Sequence, residues 1–256
     1  MKIYPLTSFA FYFILMVAAA ITLALTFIFR KKDEKTRKLV ILIFCAFNIL
    51  LFTVYKFVLA SEPESLVKHN YQFIIWEELP LHLCNISLFL VPIGMLLNNR
   101  KLLSYGFYIA PLGAILAVVS PSPEFIGESI FEFYNIGFYF THLNIVIIGV
   151  LLVTLGFFTP SYKQMAFLNI YAGCIATGIH IFNLILRALT GADVNYFYTV
   201  HDDGVSILKI FWNMIPVSFI YLIFGLIILN IYVALVTLPF HLNDKKKRVT
   251  VDERTA

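Results

Sequence analysis

The feature that most restricts this chain is a series of long stretches that carry almost no charge. Seven such runs follow one another: Phe9–Phe29, Leu39–Ala60, Leu79–Leu97, Leu102–Val119, Phe133–Phe158, Met165–Leu186 and Ile210–Phe240. Only Lys56, near the end of the second, interrupts them. A helix crosses a hydrocarbon core roughly 30 Å thick with about 20 apolar residues. Lipid offers the backbone no hydrogen bonds, so each run must satisfy its own, as a helix does. A barrel would show shorter, alternating segments. The expected fold is therefore all-α: a bundle of seven transmembrane helices forming a single integral membrane domain over residues 1–256. The gaps between runs are too short for a separate soluble domain.

Composition supports this. Apolar residues make up 60% of the chain and charged residues 13%, against roughly 25% charged in soluble domains. The net charge of +4 reads as a topology signal and not as an attraction for nucleic acid. Arg30, Lys31, Lys32, Lys35, Arg37 and Lys38 follow the first run, Arg100 and Lys101 the third, and Lys163 the fifth. Lys245, Lys246, Lys247, Arg248 and Arg254 fill a basic tail over 241–256, so 14 of 19 basic residues fall on one side. The positive-inside rule then places the amino terminus outside and the tail in the cytoplasm. The first run is longer than a signal-peptide core, with one basic residue before it and six soon after, and is expected to be retained.

Proline punctuates the runs. Pro80 opens the third, where a missing backbone donor costs little. Pro92, Pro111 and Pro216 lie within runs three, four and seven and are expected to kink them. The loop before the last run holds "TGADVNYFYTVHDDG"; it could lid a site facing outward.

Polar groups inside a membrane are costly and often functional. Placed by helical rise, Cys84 lies roughly 8 Å below the outer edge, His142 about 14 Å and His180 about 10 Å, with Asn213 near the start of the last run. His180, Asn183 and Arg187 fall on one helical face, as do Asn135 and His142. On a helix His82 and Asn85 would share a face and Cys84 would point elsewhere. Cys45 and Cys174 differ from Cys84 in depth and read as small buried apolar residues.

A cysteine within reach of a histidine suggests covalent chemistry. The thiolate is the nucleophile, and an imidazole can take its proton. Asn85, Asn135 or Asn183 could fix the imidazole, and Asn side chains or His82 could donate to an oxyanion. A phospholipid or lysophospholipid could enter sideways with its ester near this depth, its phosphate held by Arg187. Asn195 and Tyr196 in the outer loop are further candidates for substrate contact. The same residues permit zinc held by histidine and cysteine, although no HxxxH or HExxH spacing occurs. A ligand-binding or transport protein without catalysis is the third possibility.

"LPLHLCNISLFL", "FYNIGFYFTHLNIVIIG" around His142 and "GADVNYFY" before the last run resemble the YwaF-like bacterial membrane proteins, which are grouped with the animal transmembrane protein 164 family. The resemblance covers nearly the whole chain. It implies a lipid acyltransferase working through a cysteine–histidine pair, with Cys84 as acyl acceptor, His142 as general base and no cofactor. His82 belongs to the same motif, without an implied role.

Overall fold

The computed structural model describes residues 1–61, 73–122 and 125–255, with side chains described as far as residue 243. The basic groups of the tail, Lys68 and part of the fourth loop lie outside the described residues. Eight helices are found among those described: α1 (Phe9–Phe29), α2 (Glu34–Ser61), α3 (Ser87–Leu96), α4 (Arg100–Val119), α5 (Phe133–Thr154), α6 (Met165–Thr190), α7 (Ser206–Met214) and α8 (Ile223–Thr255). Local signals set their ends. Ser8 accepts from the Phe11 N–H to cap α1, and Asp33 accepts from Thr36 to cap α2. Asn99 accepts from Lys101 and Leu102 at the start of α4. Gly191 ends α6 in the left-handed conformation, at φ 71°, which glycine adopts without steric cost.

Six segments are long and apolar enough to cross a membrane: α1, α2, α4, α5, Tyr162–Thr190 and Ile220–Asn243. Two of the seven expected helices differ from expectation. The third run is helical only over Ser87–Leu96. Ahead of it, residues 79–86 form turns, in which the Ser87 N–H reaches the Cys84 carbonyl at 3.1 Å and not that of Leu83. The Tyr105 hydroxyl donates to the Leu83 carbonyl at 2.5 Å and the Ser87 hydroxyl to that of Cys84 at 2.5 Å. The segment still joins the two ends of the bundle. Glu78 pairs with Lys56 late in α2, while Asn98 accepts from Lys38 early in α2. The seventh run breaks at Pro216, which separates α7 from α8, so that proline interrupts its helix and does not merely kink it. At Pro111 the chain instead forms a π-helical turn, Tyr105–Ile109. A wider turn relieves the clash between a proline ring and the carbonyl four residues back.

Helices α4 and α5 are the most buried spans and form the centre. Their backbones approach where a Cβ on Gly149 would stand 2.8 Å from the Gly106 carbonyl oxygen, so only glycine fits there. Around them, α1, α2, α6 and α8 bury less and present large apolar side chains such as Leu23, Phe27, Ile170 and Leu235 outward. That is the pattern of a bundle solvated by lipid. Met1 and Ile3 pair with the Glu128–Ile130 backbone at one end, and Tyr162 meets His241 at the other. Cys45 is buried as expected, but Cys174 is exposed on α6, and all three cysteines are free.

Candidate active site

A cavity of about 700 Å³ opens at the end of the bundle that holds Glu78. Its lower walls are apolar, from Leu112 and Leu116 of α4, Ala172 and Gly173 of α6, and Leu226 and Leu229 of α8. Its size falls within the ~300–1,000 Å³ of small-ligand sites, and so does its largely apolar lining with few polar groups. Three of those polar groups are His82, Cys84 and His142.

The Cys84 sulfur lies 3.2 Å from Nε2 of His142. On the other side of the ring, Nδ1 lies 2.7 Å from the Phe138 carbonyl oxygen. A carbonyl only accepts, so Nδ1 carries the proton and Nε2 presents its lone pair to the thiol. The ring is also held at 4.5 Å from that of Phe138. The thiol has a second acceptor, Oδ1 of Asn85, at 3.6 Å. Both Cys84 and His142 are buried. The turn before α3 makes this meeting possible, and it also overturns the helical spacing argument: His82 and Cys84 line one cavity.

The remaining candidates divide. His82 accepts from the Phe197 N–H at 3.4 Å, between the rings of Tyr196 and Tyr198. Asn195 and Tyr196 line the cavity, yet their polar atoms also build the loop. Asn195 accepts from the Val200 N–H and donates to the His201 carbonyl. The Tyr196 hydroxyl donates to the Trp76 carbonyl and accepts from the Leu79 N–H. His180 stands apart, bonded to Thr199 at 3.1 Å and stacked on Phe219. Asn183 is fully buried and clamps the Tyr196 backbone at both its N–H and its carbonyl. Arg187 is engaged by Asp193 and by the Val194 carbonyl, outside the cavity. Asn135 donates to the Ser129 carbonyl, and Asn213 is exposed. Among the described residues, no three His, Cys, Asp or Glu side chains gather as a metal-ligand set.

Sequence reasoning passed over several groups. Lys56, the one charge inside an apolar run, lines the cavity with Glu78; that interruption was the available signal. Glu77, Asp193 and Asp203 add carboxyls to the mouth. Burial raises the Glu77 carboxyl from its ordinary value, and the charges of Asp193 and Asp203 add to this. Burial likewise raises Asp203. The outer loop closes one wall through Asn195 to Tyr198.

A protein-family model described as the TMEM164 family matches residues 5–238. The chain belongs to that family. No curated protein and no solved structure matches it. Membership agrees with the resemblance carried by the Cys84 and His142 segments, and the match reaches into every long apolar segment found in the structure.

Proposed function

We propose that this protein is a membrane-embedded acyltransferase that moves a fatty acyl chain from a phospholipid through a thioester on Cys84. The observation that carries the reading is the Cys84–His142 contact at 3.2 Å, with the imidazole tautomer set by the Phe138 carbonyl, at an apolar cavity. The thiol proton passes to Nε2 of His142, and the sulfur attacks the ester carbonyl carbon. The carbon–oxygen bond to the glycerol breaks, His142 returns the proton to the departing alkoxide, and the acyl chain stays on sulfur. An alcohol or lysolipid then gives its proton to Nε2 and attacks the thioester, expelling the thiolate, which recovers a proton from His142. Apolar lower walls suit an acyl chain, and the charged mouth suits a headgroup. In this reading the mouth faces outward and the basic tail lies in the cytoplasm of a bacterial cell. The zinc reading finds no support in His180, which bonds Thr199 and not the Cys84–His142 pair.

Intact mass spectrometry of the purified protein after incubation with a diacyl phospholipid tests this. A hydroxylamine-sensitive acyl adduct that disappears in both Cys84→Ala and His142→Ala is expected. Adding a lysolipid should discharge it into a new diacyl lipid, whereas discharge to free fatty acid alone would make the protein a lipase. No adduct on the unaltered protein, with the lipid unconsumed, overturns the proposal.

A further inference from the structure

Attack on an ester places negative charge on the former carbonyl oxygen, and a largely apolar cavity makes that charge costly unless a donor awaits it. Asn85 faces the thiol as an acceptor through Oδ1, and the Nδ1 proton of His142 is taken by Phe138. The remaining imidazole at the cavity is that of His82. Its Nδ1 accepts from the Phe197 N–H. A neutral imidazole that accepts at Nδ1 carries its proton on Nε2, so the ring offers a donor.

The surroundings hold the ring to that tautomer. The rings of Tyr196 and Tyr198 lie 5.4 Å and 5.3 Å from it. Phe197 and Tyr198 are both left-handed, at φ 62° and 54°, a conformation that non-glycine residues adopt only where their surroundings impose it. Here the surroundings are specific: Asn183 grips Tyr196, the Tyr221 hydroxyl donates to the Tyr198 carbonyl, and the Phe219 N–H donates to the Thr199 carbonyl at 2.8 Å. This bracing turns the Phe197 N–H toward His82. His82 and His142 both line the cavity that holds Cys84.

We infer that His82 is a catalytic residue of this site, donating from Nε2–H to the oxyanion formed when Cys84 attacks an acyl ester, while the Phe197 N–H fixes its tautomer. The inference rests on the acyl-transfer reading and adds a division of labour: His142 moves the proton and His82 stabilises the charge without changing its own protonation.

Two reactions of Cys84 separate these roles. Alkylation by iodoacetamide needs the thiolate but forms no oxyanion. Acylation by p-nitrophenyl octanoate, read as the nitrophenolate burst and the mass of the adduct, needs both. Loss of one oxyanion donor slows the chemical step by about 10²–10³-fold, so His82→Ala should lose that much in acylation and keep its alkylation rate within about twofold. His82→Gln, whose amide N–H reaches toward the place of Nε2–H, should recover much of the acylation. His142→Ala should lose both reactions. Equal loss of alkylation and acylation in His82→Ala, or no loss of acylation, overturns the inference, as does an Ala variant as active as the Gln variant. An unaltered protein that is alkylated at Cys84 but never acylated overturns the acyl-transfer reading itself and takes this inference with it.

Discussion

One hydroxyl anchors the residue before Cys84, and removing that hydroxyl is a sharp test of how the site is built. Tyr105 is fully buried, and its hydroxyl donates to the carbonyl of Leu83 at 2.5 Å. Leu83 sits between His82 and Cys84, whose carbonyls accept from the Ile86 and Ser87 N–H groups. Tyr105→Phe keeps the ring, with its edge contact to Tyr171, and removes only the donor. A buried backbone carbonyl left without a partner costs about 1–3 kcal/mol. For a chain of this length that is a fall of roughly 2–12 °C in melting temperature, at 2–4 °C per kcal/mol. Function should suffer more than stability. Once its anchor is lost the turn can shift, and a displacement of about 1 Å at reacting atoms can cost 10²-fold in rate. Tyr108→Phe is the control. Tyr108 is equally buried, but its hydroxyl meets Thr237 at 2.8 Å, and Thr237 can turn to a carbonyl of its own helix. The expected cost there is about 1 kcal/mol, with acylation of Cys84 unchanged. Thermal unfolding in detergent and the rate of Cys84 acylation measure both. A Tyr105→Phe protein with unaltered melting and acylation would refute the reasoning, and so would an equal loss of acylation in Tyr108→Phe.

Other expectations follow from the same contacts. A Cβ on Gly137 would stand 2.1–2.7 Å from the Tyr55 ring, so Gly137→Ala should destabilise by about 1–3 kcal/mol through overpacking. Gly173 has nothing within 4 Å of that position, and Gly173→Ala should be neutral or stabilise by up to about 1 kcal/mol; thermal unfolding of the pair compares them directly. Asn183→Ala leaves two buried backbone groups of Tyr196 unpaired, at about 1–3 kcal/mol each, and should expose the 191–205 loop to proteolysis before the helices unfold. Burial raises the Asp193 carboxyl, but hydrogen bonds and charge from His201 and Arg187 outweigh this and hold it below its ordinary value. A depressed carboxyl stabilises above its unfolded value of about 3.9 and loses that contribution as pH falls through the lower folded value. Amide-exchange protection of the loop should thus stay level from neutral pH down to about 4 and drop below it. A drop already at neutral pH, or an Asp193→Asn loop with unaltered acid behaviour, contradicts the assignment.

Much of this architecture was legible because lipid imposes a simple rule on sequence. Runs such as Phe9–Phe29 and Phe133–Phe158 return as long helices almost at their expected bounds. The departures came where local hydrogen bonding competes with the helix. Nothing in "LPLHLCNIS" announces that hydroxyls of Tyr105 and Ser87 will take the carbonyls of Leu83 and Cys84, because one of those donors lies on another helix. Helical spacing therefore sent His82 and Cys84 to different faces. Depth served better than face: it placed Cys84 in one layer with His142, the base that the resemblance implied and that the structure brings to 3.2 Å. It also admitted His180, which turns to Thr199 instead. Depth alone does not distinguish a histidine aimed at the cavity from one aimed at a loop.

The unwound stretch and the cavity are two aspects of one constraint. Irregular backbone at membrane depth survives only where protein or an internal cavity shields it from lipid. Helix α3 contributes ten residues, or about 15 Å of rise, so the rest of the traverse falls to residues 79–86. Their polar groups are met by Tyr105, Tyr196, Ser87 and the Phe197 N–H, which belong to three parts of the chain: the start of α3, α4 and the outer loop. Those four attachments hold His82 and Cys84 toward one space, an arrangement that a continuous helix would have forbidden. A third run that is fully helical would span the membrane more cheaply, but its thiol and its nearest histidine would face apart. The costlier backbone is thus the structural condition for the chemistry proposed, and each of its attachments is a place where a single substitution should separate stability from acylation.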